Sequence, residues 1–151
     1  MVLCFAPKSR RYVTPEKAAE LKKLLDPDIQ AVGVFVNEAA ERIAALLNKG
    51  IIDIAQLHGA EDENDINQLR TLTDKPIIKA FCIKESEDIT DAESCLADYI
   101  LLDSGEGTGT VFDWKKIQNI QRPYFLAGGL SIDKCRKIAV RQLKPVMRSM
   151  S

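Results

Sequence analysis

The chain has little that would send it to a membrane, a nucleic acid or an oxidising compartment. Its 21 Lys plus Arg stand against 22 Asp plus Glu, so no field of one sign exists to hold a polyanion or an anionic bilayer. No apolar run approaches the roughly 18 residues that suggest a membrane span; one of the longest, Ala31 to Val36, is a third of that. The start Met1-Val2-Leu3-Cys4-Phe5 has no basic flank of the kind a signal peptide carries. The four cysteines, Cys4, Cys82, Cys95 and Cys135, are scattered with no C-x-x-C pair, which signals neither a zinc site nor a disulfide framework. They read as reduced core thiols, and the chain as soluble and cytoplasmic. Only one histidine, His58, is present, which narrows the choice of acid-base groups.

What the chain does have is rhythm. Short apolar runs bounded by turn residues, the look of fully buried parallel strands, begin near Ala31, Ile52, Pro76, Tyr99 and Pro123, spaced 21 to 24 residues apart. A sixth covers Val2 to Phe5. Between them lie helical patterns. Thr14-Pro15 reads as an N-cap followed by proline in the first turn, with Ala18, Leu21 and Leu25 as the apolar stripe and Asp26-Pro27 as the stop. Asn37 reads as the cap of the next helix, Ile43, Leu46 and Leu47 as its buried stripe, and Gly50 as its end. Further helices fit Asp62 to Leu72, Glu85 to Cys95 and Ser131 to Val140, with a short turn near Trp114. No linker or low-complexity tract interrupts the series, so residues 1–151 are expected to form one domain.

Repeated strand-helix units with right-handed crossovers leave an open doubly wound sheet or a (β/α)₈ barrel. In both, chemistry sits at the carboxyl ends of the strands. Asp103 ends the run Tyr99-Ile100-Leu101-Leu102 and is followed by a loop holding Gly105, Gly107 and Gly109. An aspartate beside apolar strand residues can keep a proton for general acid catalysis; as a loop cap it would look the same. The G-x-G-x-G spacing lacks the rest of a dinucleotide fingerprint, and no Walker lysine follows. His58 and Arg11 follow their own strands. His58 suits either a site or a structural hydrogen bond to a carbonyl; Arg11 suits either a bidentate grip on a carboxylate or a solvated basic turn with Lys8 and Arg10. Gly128-Gly129 before a helix start at Ser131 suits a phosphate seat or a plain tight turn.

The segments FAPKSRRYVTPEKA, AVGVFVNE, IAQLHGAED, IIKAF, YILLDS, GTGTVFDW and PYFLAGGL, in this order and at these separations, resemble the phosphoribosylanthranilate isomerase family over nearly the whole chain. That resemblance implies an incomplete TIM (β/α)₈ barrel, with about six strands corresponding to family strands two to seven. It implies an Amadori rearrangement of N-phosphoribosylanthranilate in tryptophan biosynthesis, with no cofactor and no metal. It makes Asp103 the general acid, Arg11 the holder of the anthranilate carboxylate, His58 a substrate-side group, Gly128 and Gly129 half of the phosphate seat, and the glycine loop a mobile rim.

The family's K-I-C-G strand, whose cysteine is the general base, has no counterpart in residues 1–151, and Cys4 falls on the family's second strand instead. After Lys144-Pro145 the family's V-D-V-S-S-G strand is replaced by Val146-Met147-Arg148-Ser149-Met150-Ser151. We read 146–151 as an aberrant tail, a frameshifted copy of that strand, since its codons read two bases later can spell Tyr-Ala-Val-Asp-Val; sequencing the gene tests this. Strands one and eight are neighbours in a closed barrel, so the expectation is open strand edges prone to self-association or to a complementing chain. The competing function is a catalytically inactive remnant or half of a split barrel. A phosphate-binding module with another ligand draws on Gly128-Gly129 alone.

Overall fold

A computed structural model describes residues 1–83, 86–103 and 120–127. Among the described residues the elements are, in chain order, β1 (Val2–Cys4), α1 (Pro15–Leu24), β2 (Val32–Phe35), α2 (Ala40–Asn48), β3 (Ile54–Leu57), α3 (Glu63–Leu72), β4 (Ile77–Cys82), α4 (Ser86–Ser94), β5 (Tyr99–Asp103) and β6 (Tyr124–Ala127). Every strand begins within two residues of its expected start. The expected helix over Ser131 to Val140, the turn near Trp114, Cys135 and the tail 146–151 lie outside the described residues.

The chain divides into two compact units. The first comprises Met1–Ala80 with Cys95–Tyr99. Its strands run parallel in the order β1, β2, β3, β4, with Val32 beside Val2 and Ile54, and Ala55 beside Ile77. Strands β2 and β3 are buried on both faces, the burial expected of parallel strands. Phe35, Leu47, Ile52, Leu57, Ile66, Leu69, Ile77 and Ile78 form its fully buried core. The second unit comprises Phe81–Ser94 and, among the described residues, 100–103 and 120–127. There β5 and β6 pair in parallel, Asp103 opposite Ala127, and Ile100 and Leu102 are fully buried.

Local signals explain most element ends. Thr14 Oγ1 accepts from the Lys17 N–H at 3.2 Å, with Pro15 in the first turn of α1. Asp62 and Asp65 form a capping box at α3, each carboxylate accepting the other's backbone N–H at 3.0 and 2.9 Å, which satisfies two donors that the helix cannot. Gly50, at φ 73°, turns the chain after α2, a left-handed conformation that suits glycine.

Two expectations are corrected. Asn37 does not cap α2: Ala39 occupies the N-cap with no side-chain hydrogen bond, while Asn37 itself stands at φ 52° and lends its side chain elsewhere. The thiols are not all in the core. Cys95 is buried, Cys4 half-buried and Cys82 exposed, because Cys82 is the last residue of β4, where the strand leaves the packed interior.

Candidate functional site

In the first unit the carboxyl ends of β2 and β3, with Lys79 from within β4, carry a dense polar network. The ladder continues one residue past β3: the His58 N–H donates to the Phe35 carbonyl at 2.8 Å. Side chains alternate across a strand, so Gln56 and His58 share one face. Their contact of 3.4 Å between Gln56 Nε2 and His58 Nδ1 agrees. Gln56 is buried and His58 exposed. His58 therefore stands exposed at the end of the ladder, held there through its backbone N–H.

Gly59 follows, and here the chain passes very close to Asn37. A Cβ at Gly59 would lie 2.6 Å from Asn37 Oδ1 and 2.9 Å from the Asn37 backbone nitrogen, so any larger residue would have to displace backbone. The Gly59 N–H donates to both Glu61 oxygens, at 2.8 and 3.2 Å. Glu61 Oε1 also accepts the Asn37 N–H at 2.9 Å, and Asn37 Oδ1 accepts the Ala60 N–H at 2.8 Å. From β4, Lys79 Nζ donates to the Gly59 carbonyl at 2.8 Å and pairs with Glu61 Oε2 at 3.3 Å. The Lys79 and Glu61 side chains are only 7% and 4% exposed, and such depth requires pairing and hydrogen bonding of both charges.

Sequence reasoning missed this network. The available signals were a lysine inside the apolar run Pro76 to Phe81, where an unpaired charge would be costly, and a glycine immediately after the histidine.

Arg11 lies in the turn after β1; it is exposed, its backbone N–H donates to Ser9 Oγ at 3.1 Å, and no described residue hydrogen-bonds or ion-pairs its guanidinium. In the second unit Asp103 is the last residue of β5, half-buried, with its carbonyl accepting the Ile83 N–H at 2.9 Å. Arg11, His58 and Asp103 therefore each stand at or just beyond the carboxyl end of their own strand, as expected. Gly105, Gly107, Gly109, Gly128 and Gly129 lie outside the described residues. A cavity of about 220 Å³ is bordered by Phe5, Tyr12, Phe35, Arg42 and other residues of the first unit, and it includes none of the site residues expected from sequence.

The family model for N-(5'-phosphoribosyl)anthranilate isomerase matches residues 2–147. The N-(5'-phosphoribosyl)anthranilate isomerase of Lacticaseibacillus casei is 42% identical over 147 residues, covering 97% of this chain and 70% of the relative; that of Endomicrobium trichonymphae is 37% identical, covering 94% and 72%. Among solved structures, the phosphoribosylanthranilate isomerase of Thermotoga maritima matches with a TM-score of 0.80 at 32% identity, covering 92% of this chain and 70% of that one. A phosphoribosylanthranilate isomerase crystallised with reduced 1-(o-carboxyphenylamino)-1-deoxyribulose 5-phosphate matches with a TM-score of 0.77 at 31% identity, covering 92% and 69%.

Proposed function

The chain belongs to the N-(5'-phosphoribosyl)anthranilate isomerase family, and from that premise we propose how its residues divide the work. The fold is an incomplete (β/α)₈ barrel, and the function is the isomerisation of phosphoribosylanthranilate in tryptophan biosynthesis. The reaction is an Amadori rearrangement of N-phosphoribosylanthranilate to a carboxyphenylamino-deoxyribulose phosphate. Nothing in the comparisons favours a noncatalytic remnant.

Asp103 acts as the general acid. It delivers a proton to the ribose ring oxygen, the ring carbon–oxygen bond breaks, and the lone pair of the anthranilate nitrogen forms an iminium. The neighbouring carbon then loses its proton to a general base, the role that the resemblance gives to the cysteine of the family's K-I-C-G strand, and the resulting enolamine relaxes to the ketone. Arg11 holds the anthranilate carboxylate: a planar guanidinium offers two parallel N–H donors that match a carboxylate, and this one is exposed at a strand end. His58, on the surface beyond β3, contacts the substrate, and Gly128 with Gly129 seats its phosphate through backbone N–H groups.

The observation that carries this reading is the family match over residues 2–147, supported by Arg11, His58 and Asp103 each lying at a strand's carboxyl end. Isomerase turnover by the purified chain, followed through loss of substrate fluorescence and compared with Asp103→Asn, tests it. Turnover that Asp103→Asn abolishes supports the assignment; near-normal turnover by the folded variant removes Asp103 from the acid role.

Three further readings belong to the proposal. Residues 1–151 act as one partial barrel domain, for which a single cooperative unfolding transition is expected. The chain associates with itself or with a complementing chain through open strand edges such as β1, which among the described residues has β2 as its one strand partner in the sheet and leaves Val2 65% exposed; light scattering that finds a monomer at all concentrations rejects the self-association. The protein is cytoplasmic, consistent with Cys4, Cys82 and Cys95 lying outside any disulfide. Among the described residues no helix is long and apolar enough to cross a membrane.

A further inference from the structure

The ion pair between Lys79 and Glu61 has no part in the chemistry above, yet it grips the backbone that carries His58. In the β3–β4 register Leu57 lies beside Lys79, and side-chain alternation places both on the face opposite Gln56 and His58. From that face Lys79 Nζ takes the Gly59 carbonyl at 2.8 Å, while Glu61 takes the Gly59 N–H at 2.8 Å and the Asn37 N–H at 2.9 Å. Both polar groups of the Gly59 backbone are thus bound by charged partners, and the turn after β3 is tied to the turn after β2. The charged hydrogen bonds lie behind the strand, on the face opposite the exposed His58.

A buried pair of this kind is a poor device for stability alone, because well-packed apolar residues in its place are often neutral or stabilising. Fixing a backbone to a fraction of an ångström is a better account, since a misplacement of about 1 Å can cost on the order of 100-fold in rate. We infer that Glu61 and Lys79 are positioning residues for the isomerase reaction, holding the His58–Gly59 turn from behind so that the imidazole meets the substrate. This rests on the reading of His58 as a substrate-side group.

The single histidine makes the test direct, because its ring protons give one set of nuclear magnetic resonance signals. The full chain is compared with Glu61→Gln, Lys79→Met and Lys79→Arg for ring chemical shift, denaturation midpoint, kcat and KM. Glu61→Gln and Lys79→Met are expected to move the His58 ring signals and to lower kcat/KM by about 10- to 100-fold, with the rise in KM exceeding the fall in kcat. Lys79→Arg, which keeps the charge and the donors, recovers part of both. If the single variants fail to fold, the double variant Glu61→Leu/Lys79→Met removes both charges together and serves as the folded comparison. A folded single or double variant with unmoved ring signals and unchanged kcat/KM overturns the inference and leaves the pair a stability element. Absence of turnover in the unaltered chain counts instead against the proposed isomerase activity of residues 1–151; the ring signals then decide the clamp by themselves.

Discussion

Carboxylates bind backbone N–H groups at both ends of the first unit's strands, but the two ends use them differently. At the amino ends, Asp53, just before β3, accepts the Ala31 N–H at 2.7 Å and pairs with Lys22 of α1. Asp98, just before β5, repeats the device: it accepts the Ile77 N–H at 2.8 Å and pairs with Arg70 of α3 at 2.7 Å. In each case a residue before one strand stitches the start of the previous strand to the helix before it. These pairs face solvent, with Arg70 and Asp98 side chains 31% and 37% exposed. At the carboxyl ends, the Glu61–Lys79 pair is buried and an imidazole stands exposed in front of it. The same chemistry therefore serves as a solvated stitch at one end and as a rigid backing at the other. Burial makes the difference, because water screens the first kind of pair and leaves the second unscreened.

The contrast is sharpest along β5, which has Asp98 before it and Asp103 as its last residue. Asp103→Asn is expected to lower turnover by about 10²–10⁴-fold while changing the urea midpoint little. Asp98→Asn should lower the midpoint and leave kcat unchanged. Reversal of these two outcomes would break the distinction between the ends. Next in size is the ion-pair comparison. Lys79→Met strands a buried carboxylate and is expected to cost about 3–5 kcal/mol in chemical denaturation, against less than about 1 kcal/mol for Arg70→Met. Equal costs would mean that burial does not separate the two rims.

Thr14→Ala should cost about 1 kcal/mol through the lost cap, with kcat/KM unchanged. Such a result would show that lying after a strand's carboxyl end does not by itself make a residue functional. The smallest effect concerns acid. Burial pushes the Asp53 carboxyl up, but the hydrogen bonds from Lys22 and the Ala31 N–H, with the charges of Lys22 and Lys75, outweigh it and hold the group below its ordinary value of 3.8. The folded state thus keeps the carboxylate after the unfolded chain has taken up its proton. The resulting stabilisation is full above the ordinary carboxyl range and is lost as pH falls through the lowered folded value. The stability gap between the unaltered chain and Asp53→Asn should accordingly stay level near neutrality and close on the acid side. A gap that widens with acid would reverse the assigned direction.

Much of the fold was legible in the sequence because its causes are local. The Thr14-Pro15 start, the helix start at Asp62 and the Gly50 turn depend on residues within a few positions of one another, and strand starts followed from short apolar runs. Arg11, His58 and Asp103 were legible as strand-end residues for the same reason. Asn37 was misread because its side chain answers to a partner 23 residues away, the Ala60 N–H, rather than to the helix it precedes. Glu61 and Lys79, 18 residues apart, gave only the oddity of a lysine in an apolar run.

The sequence by itself determined the alternation of strand and helix, the family and the residues at the strand ends, since periodicity, capping and motif order are properties of a chain read in one direction. Tertiary structure alone decided that Lys79 meets Glu61, that both grip Gly59, and that Asp53 and Asp98 bridge neighbouring strands. These pairings depend on which residues a parallel register sets side by side and on how far water is excluded there, and neither is defined until the strands are packed.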